Sequence, residues 1–344
     1  MKSEYLVWDF INKGTNHRYF NRQFVGSLSD LGLKVLIQPP SYASDVYDDD
    51  ETHPGRGYLV VSDLVCRWFY FFFVSLKSRD RKHFILAIDN TIGPLLLLLS
   101  RLVTNGSVIC ILHNNYSRIQ TSRSRRFLFK CLSRSGVVFL VMREQLCSEL
   151  RTQGINARYL RHPLPEPGFI FSPDNRQGIV VVGRANDLEV NTFPEVYNLL
   201  TKVPNIVVKV LKSSPLHKSL VAKNDVKLSF DVYERPISEV DYFKLLSESD
   251  AVLLPSIYDE RRTASGVLMD AISTETPVIS SSLGICLEYL DKSYPGFIFD
   301  EGSLNIDDGD FDLLLREAAS HIKNVRDALA RHQSGQLKEL LSSI

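Results

Sequence analysis

This sequence predicts an α/β protein built from two Rossmann-like domains that face each other across a cleft. Three observations predict it. Apolar runs of strand length alternate with segments of helical spacing through the first half of the chain, the pattern of a parallel doubly wound sheet. A proline-rich stretch, RHPLPEPG at 161–168, then interrupts the pattern. Beyond it the same alternation starts again.

In the first domain, 1–163, YLVWDF, VLIQPP, FILAIDN, SVICILHNN and VVFLVM read as strands, because near-continuous apolar runs suit a sheet covered on both faces. Apolar residues recur at helical spacing over 16–32, 62–80, 92–103, 123–134 and 143–153. The acid-rich DVYDDDET, followed by HPGRG, reads as a solvated excursion. Three prolines in 161–168 disfavour helix and stiffen the chain, which places the domain boundary there. The second domain, 164–320, runs through GIVVVGR, a helix near 192–202, IVVKVLK, VKLSF, a helix near 238–248, AVLLPS, a helix from Ser265, PVISS and GFIFD. The spacing of Leu, Ala and Ile predicts helix from Asp310 to about Leu341, interrupted at Ser334 and Gly335, with 321–344 as a C-terminal helical segment. Open α/β sheets bind ligands outside the carboxyl ends of their strands, so the chemistry is expected between the two halves.

Composition narrows the function. The 344 residues include 40 Lys plus Arg and 40 Asp plus Glu, so no overall charge draws the chain to nucleic acid, and no nucleic-acid role is expected. Five cysteines without CxxC spacing argue against a disulfide framework and a zinc site, and for a reducing cytoplasm. The start, MKSEYLVWDF, lacks the pattern of a secretory signal, and the apolar runs 68–76 and 94–103 fall short of the roughly 20 residues a spanning helix needs.

The most informative stretch is 251–280, AVLLPSIYDERRTASGVLMDAISTETPVIS. A buried strand ends at Pro255, and a loop with two acids and two arginines follows. Ser265 and Gly266 then open a helix whose N-terminal amides and dipole suit a phosphate. Asp270, about one turn in, can reach the hydroxyls of a sugar whose phosphates rest on that end. The alternative is an ordinary βαβ unit in which Ser265 only caps the helix and Asp270 faces water.

The layout and this stretch resemble a GT-B glycosyltransferase, closest to the large family-4 group that uses nucleotide sugars. The likeness covers most of the chain and is strongest over 178–280. It implies that Gly183 and Arg184, in VVVGR, hold the donor diphosphate, with Thr263, Ser265, Gly266 and Asp270 completing the donor contacts. The lysine that usually follows is missing from ANDLEVNTF, which leaves Lys209 or Lys212 to substitute. Arg262 stands near the first place of the family's paired-acid signature, where it neutralises a departing diphosphate or is a solvated loop arginine. Glu275 replaces the family's glycine, a departure that touches helix termination. In the first domain Gly14 and Thr15 resemble the small-residue loop over the donor, and His113 stands where the family often has a histidine beside the transferred sugar. Asp89 either deprotonates an acceptor hydroxyl, if the reaction inverts configuration, or caps the next helix.

The expected activity is thus metal-independent sugar transfer, hexosyltransferase-like, from a nucleotide-diphosphate sugar to a hydroxyl of a glycan or lipid-linked acceptor, in bacterial surface polysaccharide synthesis. The donor is a substrate, and no cofactor is expected. Arg118, Arg123, Arg125, Arg126, Lys130 and Arg134, with no acid from 117 to 135, form either a solvated helix face or a peripheral contact with the inner face of the membrane. The aromatic run 68–73 is either core or part of that contact. Two alternatives stay open: a nucleotide-sugar epimerase or hydrolase of the same fold, and a catalytically degenerate partner in a glycan assembly complex. A dehydrogenase is disfavoured because no strand leads into GxGxxG.

Overall fold

A computed structural model of the chain describes residues 4–9, 18–38, 61–78, 80–88, 92–102, 104–112, 116–165, 176–181, 193–202, 207–212, 217–218, 221, 229–233, 238–254, 266–282, 284–298 and 311–343. They divide into two compact units. The first holds the described residues up to Pro163 and again from His332, and the second those from Leu164 to Arg331.

In the first unit the strands β1 (Glu4–Asp9), β2 (Lys34–Gln38), β3 (Lys82–Ala87), β4 (Val108–Ile111), β5 (Val137–Val141) and β6 (Ala157–Tyr159) pair in parallel, in the order β2-β1-β3-β4-β5-β6. Side chains alternate between the faces of a strand, and here both faces are apolar. Leu6 and Trp8 join Ile85, Cys110 and Phe139 on one side, while Tyr5 and Val7 join Phe84, Ile109 and Leu140 on the other. The first side is covered by α2 (Val61–Lys77), α3 (Gly93–Arg101), α4 (Tyr116–Thr121), α5 (Arg123–Arg134) and α6 (Glu144–Thr152), through Trp68, Phe71, Leu97, Ile119, Phe129 and Leu146. The second is covered by α1 (Arg18–Asp30), through Phe24 and Leu28, and by Leu337, Leu340 and Leu341.

In the second unit β7 (Ile179–Val181), β8 (Val207–Leu211), β9 (Ser229–Tyr233), β10 (Ala251–Leu253) and β11 (Val278–Ile279) form a parallel sheet in the order β11-β10-β7-β8-β9. Around it lie α7 (Phe193–Lys202), α8 (Glu239–Ser247), α9 (Gly266–Ser273), α10 (Ile285–Leu290) and α11 (Phe311–Ser342). Ile179, Val181, Val208, Val210, Ala251 and Leu253 pack with Leu199 and Leu200 of α7 and with Phe311, Leu314 and Leu315 of α11.

The two sheets share a topological logic. The chain steps outward from its first strand, then returns to the other side of that strand and continues the opposite way. The reversal falls between β1 and β3 in the first unit, and between β7 and β10 in the second. Such a switch point leaves a crevice at the carboxyl ends of the two strands.

Several sequence expectations need correction. Helix α11 runs unbroken through Ser334 and Gly335, because glycine costs a helix only about 1 kcal/mol and the apolar side chains just beyond are anchored in the first unit's core. The strand expected at VKLSF lies three residues later as SFDVY, an edge strand with mostly exposed side chains. The described residues of GFIFD, 296–298, contribute only a bridge between Phe297 and Ser280. β6, α4 and α10 were not expected from the sequence. The acid-rich excursion at 45–57 lies outside the described residues.

Candidate functional site

The second switch point joins the loops that the sequence singled out. β7 and β10 pair in register, Val181 opposite Leu253, so their carboxyl ends lie side by side. The chain leaving Val181 leads to Gly183 and Arg184. The chain leaving Leu253 leads through Arg262, Thr263 and Ser265 to the start of α9 at Gly266. Gly183, Arg184, Arg262, Thr263 and Ser265 themselves lie outside the described residues, as do Gly14, Thr15, Asp89 and His113 of the first unit. Their flanking strands are described: β1 and β3 pair across the first switch point with Asp9 opposite Ala87, and β4 ends one residue before Leu112.

Gly266 is exposed, and a Cβ built there would meet no atom within 4 Å among the described residues. The helix is pinned behind it, because Leu268, Met269, Ala271 and Ile272 are buried. Asp270 is half-buried, and its Oδ2 accepts a hydrogen bond of 2.9 Å from the hydroxyl of Tyr242 on α8. Tyr242 thereby fixes the orientation of the one acidic side chain in the first turns of α9. Nothing in the residues around Tyr242 signalled that role, since the pairing spans 28 positions and depends on how α8 and α9 pack.

The two candidate lysines of β8 separate along the strand. Lys212 follows the strand's last residue, is exposed, and lies at the carboxyl edge, where its amide donates to the Tyr233 carbonyl at 3.1 Å. The Tyr233 hydroxyl reaches across that edge to the Val181 carbonyl at 3.2 Å. Lys209 lies mid-strand and is buried, and its ammonium turns the other way, donating to the Glu248 carbonyl at 2.9 Å. Glu248 leads into β10, so in a parallel sheet this contact lies at the amino edge.

Lys209 belongs there to a second polar cluster. Asp250 accepts a hydrogen bond from the Gly178 amide, and Arg176 donates to the carbonyls of Glu275, at 2.9 Å, and Ser247, at 3.3 Å. Burial pushes the Lys209 ammonium and the Arg176 guanidinium below their ordinary pKa values, against the pull of nearby carboxylates. Burial likewise pushes the Asp250 carboxyl up, opposed by the Gly178 amide and by Lys209 and Arg176. Gly178 has φ +75°, and a Cβ there would lie 2.3 Å from the Val207 carbonyl oxygen, so the backbone needs glycine.

Glu275 terminates α9. Its φ is +54°, the Thr276 amide donates to Ala271, and the Glu275 amide donates to Ile272. This is the 6→1 and 5→2 pairing of a Schellman end, made here without glycine, and the Glu275 carboxylate forms an ion pair with Arg326 of α11. Among the described residues, no group of three or more His, Cys, Asp or Glu is placed to hold a metal ion.

No protein-family model matches the chain, and no curated protein does. Solved structures do. A glycosyltransferase from Rickettsia africae is 12% identical over 99% of this chain and 97% of its own, with a TM-score of 0.62. An E. coli trehalose-6-phosphate protein bound with UDP-2-fluoro glucose is 9% identical over 99% and 98%, at 0.56. Staphylococcus aureus TarM, in complex with fondaparinux, alpha-GlcNAc-glycerol and UDP, is 14% identical over 80% of this chain, at 0.54. This chain spans 58% of the length of TarM. At these identities the likeness establishes the fold: two parallel-sheet Rossmann-like domains of the GT-B class.

Proposed function

We propose that the protein is a glycosyltransferase that moves a sugar from a nucleotide-diphosphate sugar to a hydroxyl of a glycan or lipid-linked acceptor in bacterial surface polysaccharide synthesis. One observation carries the reading. The loops bearing Gly183, Arg184, Arg262, Thr263 and Ser265 both spring from the β7/β10 switch point, where folds of this kind receive nucleotides. A helix of eight residues starts directly beyond the second loop, and its N-terminal dipole favours a diphosphate.

In this reading the glycosidic C1–O bond to the diphosphate breaks and a bond from C1 to the acceptor oxygen forms. The electron pair of the broken bond leaves with the diphosphate, whose growing charge is met by the α9 amides, Arg184, Arg262 and Lys212. Asp270, oriented by Tyr242, receives the ribose hydroxyls. The resemblance assigns Gly14 and Thr15 to the donor, His113 to the transferred sugar and, for an inverting reaction, Asp89 to the acceptor proton. No metal takes part, so activity survives EDTA. The likeness to family 4 rests on VVVGR and on the stretch 251–280.

The test is thermal unfolding with UDP, GDP, ADP and dTDP. At a hundredfold excess over its dissociation constant the matching nucleotide stabilises by about 2.7 kcal/mol, and Arg184→Ala abolishes the shift. Turnover that requires acceptor then separates transfer from epimerisation or hydrolysis, which proceed on the donor alone. The arginine at 262 and the missing lysine favour a second reading, a binding partner without activity. Absence of a shift with every nucleotide and nucleotide sugar would favour that reading instead.

A further inference from the structure

The outer layer of the first unit carries a surface that the donor site does not use. Helices α2, α3 and α5 lie side by side, α3 in the middle, with their inner faces in one core. Their outer faces are unusually apolar. On α2 the run 68–73 divides by side: Trp68 and Phe71 are buried, whereas Phe69 and Phe73 are exposed, Phe73 at 58%, and Tyr70 lies between, its ring edge-on to the buried Trp8. On α3 and just past its end Leu95, Leu99 and Leu102 form an exposed stripe at spacings of four and three, Leu102 at 81%. On α5 Phe127 is 66% exposed, and Arg123 and Arg134 flank it on the same helix.

Charge is concentrated in the same layer. The helices α2, α3, α4 and α5 together hold nine basic residues and one acid, Asp63, in a chain whose formal net charge is zero. Exposed aromatic and aliphatic side chains beside concentrated positive charge match an interface with a hydrocarbon interior and an anionic rim. A second copy of this face would bring like charges together across a two-fold axis. None of these helices is long and apolar enough to cross a bilayer, so contact is made from the surface.

We infer that the α2–α3–α5 layer docks on an anionic lipid bilayer. Phe69, Phe73, Leu99 and Leu102 enter the boundary between headgroups and acyl chains, and Arg123 and Arg134 meet lipid phosphates. The inference is independent of the proposed donor site.

Flotation of the full chain tests it, with vesicles of phosphatidylcholine alone or mixed with phosphatidylglycerol. The chain is expected to float with the mixed vesicles only, and added salt should release it. Replacing two basic residues, Arg123→Gln with Arg134→Gln, should weaken binding by roughly 30-fold, given the worth of each basic side chain near such a surface. Phe69→Ser with Phe73→Ser should abolish flotation. Both pairs of sites are exposed, and an unchanged melting temperature and far-UV circular dichroism confirm that each variant is folded. Failure to float, equal binding to neutral vesicles, or binding that ignores the Phe variants overturns the inference. So does a chain that sediments as a dimer until Phe69 and Phe73 are replaced.

Discussion

Replacing Lys209 with methionine separates the two edges of the second sheet. Methionine keeps most of the buried stem but removes the ammonium that donates to the Glu248 carbonyl at 2.9 Å. A hydrogen bond from a charged donor contributes about 1.5–3 kcal/mol, so a loss near 2 kcal/mol is expected, lowering the second unit's melting temperature by roughly 4–8 °C. The loss should deepen with pH. Burial raises the folded-state pKa of Asp250, and Lys209 is one of the cations opposing that rise. Below the ordinary carboxylate range Asp250 is protonated whether folded or unfolded, and the missing cation matters least. As pH climbs through the raised folded-state pKa, the ionised carboxylate must be kept with one cation fewer. Calorimetry at about pH 3 and pH 7 reads the difference, and titration with the matching nucleotide reads the site. Lys209→Met should bind nucleotide as the wild type does. Wild-type melting together with a tenfold loss of nucleotide affinity would show that Lys209 serves the carboxyl edge, and the reasoning would be wrong.

Other perturbations test separate parts of the structure. Gly178→Ala should cost about 3 kcal/mol, from the left-handed backbone penalty plus the approach to Val207, and calorimetry of the second unit measures it. His83 is buried in β3, where its Nδ1 accepts from Trp8, and burial chiefly, aided by Arg101, lowers its pKa from 6.5 to about 4. That contribution is complete above about pH 6.5 and is lost as pH falls toward 4, about 3 kcal/mol in all. Urea unfolding of His83→Gln should show a correspondingly flatter acid limb. Glu275→Gly relieves the positive φ but gives up the Arg326 pair, whereas Glu275→Ala keeps the strain and loses the pair. The glycine variant should therefore be the more stable of the two by about 1 kcal/mol in denaturant melts. Tyr242→Phe and Asp270→Asn should each weaken a nucleoside diphosphate severalfold while leaving inorganic pyrophosphate unchanged, as calorimetric titration would record.

The fold was legible where burial is two-sided. VVFLV, VICI and IVV are apolar at every position because helices cover both faces of the sheet. The edges were not legible in the same way. β9 is an edge strand with Ser229, Asp231 and Val232 exposed, so apolar content pointed three residues too early, and β6 is too short to stand out from the loop around it. Ser334 and Gly335 looked like a stop signal because local propensity favours a break there. Packing of Leu337 and Leu340 some residues later outweighs it. The candidate site was legible as loops and as the start of α9, but its supports were not. Tyr242 behind Asp270, Tyr233 across β7, and Arg176 behind Glu275 are long-range contacts that no spacing rule encodes.

The placement of Lys209 and Lys212 follows from the direction of the helices. In a βαβ unit the helix runs back against the strands, so helix C-termini collect at the amino edge of the sheet and helix N-termini at the carboxyl edge. The carbonyls that accept from Lys209 and Arg176 belong to Ser247, Glu248 and Glu275, which end α8 or follow the ends of α8 and α9. A cation there meets the negative end of a helix dipole and carbonyls that lack partners within the helix, and it stabilises the fold without any ligand. The opposite edge collects the helix N-termini, whose positive dipole ends favour an anion. Three residues of strand, about 10 Å at 3.3 Å each, thus separate a lysine at the amino edge from one at the carboxyl edge. By its place at the carboxyl edge we propose Lys212, rather than Lys209, for the missing lysine after Arg184, and the double substitution Lys209→Met with Lys212→Ala should show additive effects: a stability loss from the first and an affinity loss from the second.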